Sequence, residues 1–228
     1  MKNSYDDLEK KIGYEFSDNS RLDVAFTHKS YTNEKMCGSH PSYERYEFLG
    51  DAILEYVVSD YLFANYPDLT EGELTKLRAS LVCEFTLSKI STELGLGDYG
   101  LFSKGELKCG GNKRSSILCD LFESLVGAIY LDGGIKPAKD FIYKILLTDI
   151  EHKKLFHDSK TRLQEYSQKS GRKLQYILME ETGPEHDKNF HVKAELDGFA
   201  PAEGHGHSRK NAEQEAAYKL LCSVMKNN

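Results

Sequence analysis

The segment Tyr43–Leu54, reading YERYEFLGDAIL, makes two demands that few folds meet together. It has no proline and no β-branched residue before Ile53, and its apolar residues recur at helical intervals, which predicts a helix. At about 100° per residue, Glu44, Glu47 and Asp51 fall within roughly 60° of one another on a single face. Tyr46, Leu49, Ile53, Tyr56 and Val57 cover the opposite side, with Leu54 and Val58 beside them. A helix that is apolar around most of its circumference is a buried helix. Carboxylates on such a helix repel one another and lose hydration, and Arg45 is the one cation inside the segment. Two readings stay open. The acids form a solvated stripe, the usual fate of helical Asp and Glu, or they face a divalent cation such as Mg²⁺, which suits hard oxygen ligands.

A second segment, Ser116–Tyr130, is again almost wholly apolar, and its only acids, Asp120 and Glu123, lie at i, i+3 on one face. Two buried-looking helices with clustered carboxylates and little other charge are hard to account for as surface. Gly50 in the middle of the first helix costs about 1 kcal/mol relative to Ala and so predicts close approach of another helix. Phe48 and Leu49 beside it read as core or as a contact with a second copy.

Four stretches, THKSY at 27–31, ERYEFLGDAIL at 44–54, EGELTKLRASLV at 71–82 and DLFESLVGAIYLD at 120–132, resemble the ribonuclease III family of double-stranded-RNA endonucleases. Tyr46 stands where that family usually has Leu. The resemblance implies an all-α endonuclease domain in which Glu47, Asp51, Asp120 and Glu123 hold Mg²⁺, with Mn²⁺ as a substitute. It implies that Glu44 and Glu71 complete the acidic site, so that Asp51, Glu123, Glu44 and Glu71 serve catalysis. It also implies a homodimer whose two sites cut opposite strands, leaving 5′-phosphate and 3′-hydroxyl ends with short 3′ overhangs. Substrates of that kind are ribosomal, messenger and transfer RNA precursors. Read alone, Glu71 is simply an acid in the first turn of a helix capped by Thr70 with Glu73 as a capping box. His28 reads as a structural, hydrogen-bonding histidine.

Composition narrows the partners. The chain of 228 residues suits one large or two small domains. MKNSYDDLEKK at the N-terminus is charged without an apolar core and does not read as a secretory signal. No apolar run approaches the roughly 20 residues that span a bilayer. Five scattered cysteines without a C-x-x-C pair argue for free thiols in a reducing cytoplasm, against zinc or a disulfide framework. The net charge is −6, all of it before residue 158, so nucleic-acid affinity must come from local basic clusters and bound cations. Gly95–Gly100 fits G-x-G-x-x-G by letter but follows a helix, so it reads as a C-cap and turn, and no phosphate-binding G-x-x-x-x-G-K-[ST] occurs. No nucleotide cofactor is expected.

The predicted organisation is an all-α domain over 1–152, with helices near 4–12, 20–29 and 136–152, a connector at 153–158, and an αβββα module over 159–228. In the last, a helix capped by Asp158 or Ser159 precedes strands at 174–180, 190–196 and about 199–203 and a final helix with Ala212, Ala216, Leu220 and Val224 inward. The GPEH loop paired with SRKNAEQ resembles double-stranded-RNA-binding domains, which read A-form shape across two minor grooves. That resemblance places Thr161, Gln164, Glu165 and Gln168 toward one minor groove, Pro184 and His186 in the next, and Arg209 and Lys210 on phosphates beside a helix N-terminus. A non-cleaving RNA-binding protein is the competing reading, and the presence of all six acids argues against it.

Overall fold

The computed structural model describes residues 4–34, 41–183, 188–206 and 208–226, without the side chains of His152 and His157. It divides into two compact units between Thr148 and Asp149.

The first unit is helical: α1 (Asp6–Ile12), α2 (Ser20–Ala25), α3 (Lys29–Glu34), α4 (Glu44–Asn65), α5 (Glu71–Leu81), α6 (Glu84–Leu94), α7 (Lys104–Lys108), α8 (Ser115–Gly133) and α9 (Ile135–Ile145). Its centre is α8, whose Ile117, Leu118, Leu121, Phe122, Leu125, Val126, Ala128 and Ile129 are all buried, with α2, α4, α6 and α9 packed around it. Buried serine hydroxyls at its centre are paired to main-chain carbonyls, which offsets their desolvation. Ser124 donates to the Ala25 carbonyl and Ser91 to that of Leu118. The capping box on α5 forms as expected, with Thr70 and Glu73 each serving the other's backbone. Gly95 ends α6 at φ 74°, the left-handed C-cap expected there.

Three expectations change. The helix expected over 20–29 stops at Ala25, because Phe26 and Thr27 pair with Leu101 in an isolated parallel bridge. The helix expected over 136–152 ends at Ile145, and Asp149, at φ 55°, separates it from the next. The signature helix is not buried all round. Ile53, Leu54, Val57, Val58 and Leu62 face the core, whereas Phe48 and Phe63 are each 79% exposed and Tyr56 is 60% exposed.

The second unit comprises α10 (Ile150–Ser170), β1 (Leu174–Thr182), β2 (Asn189–Leu196), β3 (Ala202–Gly206) and α11 (Arg209–Lys226). The strands form an antiparallel sheet in the order β1-β2-β3. Alternation on β2 buries Val192, Ala194 and Leu196, the last two in a core with Leu163 of α10 and Ala216, Ala217, Leu220, Leu221 and Val224 of α11. Residues 153–158 are helical rather than a connector. The polar letters Lys153, Lys154, His157 and Asp158 conceal an apolar stripe, in which Leu155 packs on this core and Phe156 meets Tyr218 at 5.3 Å between ring centroids. Ser159 therefore sits inside α10 instead of capping it, donating to the Phe156 carbonyl at 2.8 Å.

Candidate metal centre and nucleic-acid interface

The site is made by the crossing of α4 and α8. Gly50 lies against the backbone of Glu123 and Gly127, and Gly127 lies against the backbone of Tyr46, so the helices meet main chain to main chain. The approach expected from Gly50 is thus met within one chain, by α8, rather than by a second copy. One helical turn before Gly50 stands Glu47, and one turn before Gly127 stands Glu123, with Asp120 a turn earlier still. Ligand oxygens of Glu47, Asp120 and Glu123 all lie within 4.8 Å of one another.

Burial first, and the neighbouring carboxylates second, push this trio toward protonation. Glu47 rises to about 7 under burial and the charges of Asp120, Glu44 and Asp51. Glu123 rises to about 8 under burial and the charges of Asp51, Asp120 and Glu47. Asp120 is also raised by burial, though a hydrogen bond from the Tyr43 hydroxyl opposes this. Three desolvated hard-oxygen donors within reach of one point fit a divalent cation, which would relieve the repulsion in a single step.

The other predicted acids occupy different settings. Asp51 is exposed on α4, close enough for its charge to raise Glu123, but it lies outside the trio. Glu44 is exposed, bonded by Lys29 at 3.1 Å and Ser42 at 3.0 Å, which hold its carboxyl below the usual range. Both Glu44 and Glu47 line an open cavity of about 510 Å³ together with His28, Lys29, Ser30, Asn33, Tyr43 and Asp120. Glu71, exposed in the first turn of α5, accepts from the Thr75 hydroxyl at 3.2 Å and is not among these residues. His28 fits the structural reading: the Ser30 N–H donates to its Nδ1 at 3.1 Å, and burial lowers its pKa. Neither periodicity nor spacing marks the Tyr43 contact, because it joins the residue that precedes α4 to one on α8, far along the chain.

In the second unit Thr161, Gln164, Glu165 and Gln168 form one exposed face of α10, opposite the buried Leu163 and Ser167. Arg209 and Lys210 are exposed at the start of α11, where Arg209 Nε donates to Glu213 at 2.9 Å. Pro184 and His186 lie outside the described residues.

Residues 18–150 match a family model described as ribonuclease-III-like, and residues 159–224 match the double-stranded RNA binding motif. The chain is 41% identical to Ribonuclease 3 of Bacillus velezensis, over 97% of this chain and 90% of that protein. It is 43% identical to Ribonuclease 3 of a Bacillus cereus strain, over 94% and 89% of the two chains. Among solved structures, the nuclease domain of ribonuclease III from Campylobacter jejuni is 41% identical with a TM-score of 0.59, covering 63% of this chain and 96% of that one. With the acidic helix pair, the αβββα module and these matches in hand, the chain belongs to the ribonuclease III family and joins a nuclease domain to a double-stranded-RNA-binding domain.

Proposed function

We propose that this protein is a divalent-metal-dependent endonuclease that hydrolyses phosphodiesters in double-stranded RNA, leaving 5′-phosphate and 3′-hydroxyl ends. The carboxylate trio carries the reading: Glu47, Asp120 and Glu123 converge within 4.8 Å while burial makes their shared charge costly. Asp51, next to Glu123, joins them as a ligand, and Glu44 and Glu71 extend the acidic surface. A bound Mg²⁺, or Mn²⁺ in its place, supplies a nucleophile at neutral pH and neutralises charge on the phosphate. The protein's own part is to hold the acids on two rigid helices and to keep the site open to a duplex through the cavity beside His28 and Lys29. Thr161, Gln164, Glu165 and Gln168 contact one minor groove, Pro184 and His186 the next, and Arg209 and Lys210 bind phosphate.

The working form is a homodimer. Phe48, Ala52, Tyr56 and Phe63 are exposed along one side of α4, which is more apolar surface than a solitary helix face normally shows to water. The Campylobacter jejuni relative is described as having a region involved in dimer formation. Two sites related by a twofold axis match the two strands of a duplex and leave short 3′ overhangs. Structured precursors of ribosomal, messenger and transfer RNA in the cytoplasm are the substrates this reading favours.

The test is long duplex RNA incubated with the protein in Mg²⁺ or in EDTA, beside single-stranded RNA and duplex DNA. Cleavage of duplex RNA alone, and only with metal, is expected. Metal-independent degradation, or equal degradation of all three, would overturn the reading, and metal-insensitive binding without cleavage would replace it with a non-cleaving RNA-binding protein.

A further inference from the structure

Tyr43 stands where the two acid-bearing helices meet. Its side chain is only 3% exposed. Its N–H donates to the Thr27 carbonyl at 2.9 Å, and its own carbonyl accepts from Tyr46 and Glu47 N–H at 2.8 and 2.9 Å. The residue is thereby tied both to the segment before α3 and to the first turn of α4. Its ring packs beside His28 at 5.7 Å between centroids, and His28 packs against Phe102 at 5.4 Å. His28 is fixed in turn. Its Nδ1 lies 2.7 Å from Ser30 Oγ, which accepts the Ser103 N–H at 3.0 Å and so has its own proton to donate. From this base the Tyr43 phenol crosses to α8 and donates to Asp120 Oδ2 at 3.0 Å.

Asp120 needs such an anchor. Left alone beside Glu47 and Glu123, its short side chain would lower its energy by rotating toward water. A donor on one oxygen fixes the carboxylate plane and leaves the other oxygen for an ion. We infer that Tyr43 is a positioning residue of the metal centre, its hydroxyl holding Asp120 in the rotamer that faces Glu47 and Glu123. The inference rests on the metal-dependent reading above. Partners of this kind, one bond removed from the ion, typically change metal affinity by about 10–100-fold when removed.

Tyr43→Phe deletes the hydroxyl and keeps the ring against His28. Mn²⁺ binding to the full chain without RNA, followed by electron paramagnetic resonance, should weaken about 10-fold or more. The Mg²⁺ concentration for half-maximal cleavage should rise by the same factor, while KM for duplex RNA at saturating Mg²⁺ stays put. To separate positioning from general loosening, the same change is made in Asp120→Ala, which lacks the acceptor and where it should cost no further Mn²⁺ affinity. Unchanged Mn²⁺ affinity in Tyr43→Phe, or an equal loss in the Asp120→Ala background, would overturn the assignment. A wild-type protein lacking a saturable Mn²⁺ site that Glu123→Gln removes would instead overturn the metal reading on which it stands.

Discussion

Replacing Gly50 by Ala tests whether the crossing of α4 and α8 is what assembles the site. A Cβ at Gly50 would stand 2.7 Å from the Glu123 carbonyl carbon and 2.9 Å from the Gly127 nitrogen, and closer still to the Glu123 oxygen. These are backbone atoms, so no side-chain rotation relieves the clash. The helices must part by about 1 Å, a cost of roughly 1–3 kcal/mol for overpacking. Alanine returns about 1 kcal/mol of helix propensity, so the net destabilisation is modest, roughly 0–2 kcal/mol. The chemistry suffers more. Metal–ligand distances tolerate only about 0.2 Å, and a 1 Å misplacement costs about 100-fold in rate. The expected outcome is a folded protein melting several degrees lower, with duplex-RNA binding retained and cleavage down at least 100-fold. Calorimetry, an RNA-binding titration and a cleavage time course measure the three separately. Gly127→Ala, whose Cβ would stand 3.1 Å from the Tyr46 carbonyl carbon, should act in the same direction, and the pair should be less than additive because both part the same two helices. Wild-type cleavage by Gly50→Ala would refute the reasoning.

The remaining predictions concern charge, salt and symmetry. Without metal, Glu123 keeps a proton up to about 8 in the fold but would lose it near its ordinary 4.5 when unfolded, so stability is greatest at low pH and falls as pH rises through that window. Glu123→Gln does not titrate and should flatten the decline by about 1 kcal/mol between pH 5.5 and 8.5 in EDTA, taking roughly half of the shift as retained against solvent; parallel pH profiles by calorimetry would contradict this. Arg209→Ala with Lys210→Ala should weaken duplex-RNA binding and reduce the slope of log K against log salt by roughly one per lost phosphate contact, and an unchanged slope would remove both from the phosphate surface. Mixed dimers of wild type with Glu123→Ala should nick one strand of a duplex and leave the other intact on denaturing gels, whereas paired cuts on both strands would contradict one site per strand.

Much of this was legible in the letters because it is local. Helical periodicity placed α4 and α8, the capping box placed α5, and period-two alternation placed β2 with its Val192, Ala194 and Leu196 face inward. The acids were found for the same reason, since i, i+3 and i+7 spacing is a property of one helix. What escaped depends on contacts between elements. The end of α2 is set by a bridge to Leu101 and the start of α10 by a left-handed Asp149, neither of which has a periodic signature. The first turns of α10 were hidden because their apolar residues, Leu155 and Phe156, are diluted by lysine and histidine. Division of the acids into a half-buried trio and exposed neighbours follows from where α8 crosses α4, and the Tyr43–Asp120 bond joins residues far apart in the chain.

The arrangement of the trio also explains why such costly groups are tolerated on buried helices. Loops would let the carboxylates spread into water, which would lower their repulsion and also their convergence. Helices crossing at two glycines forbid that escape, so the metal-free protein relieves the repulsion by taking up protons at Glu47 and Glu123, at about 7 and about 8. A divalent ion held by Glu47, Asp120 and Glu123 would displace those protons, so its binding would be favoured at neutral pH and opposed in acid. Asp120 is treated differently. It receives the Tyr43 hydroxyl, a bond that favours its charged form and opposes the effect of burial. Burial still raises Asp120 overall, and the tyrosine offsets part of that rise while fixing the carboxylate on the shared face. The rigid crossing and the tyrosine act on the same problem from two sides: the first keeps the two helices together, and the second keeps one of the carboxylates in place.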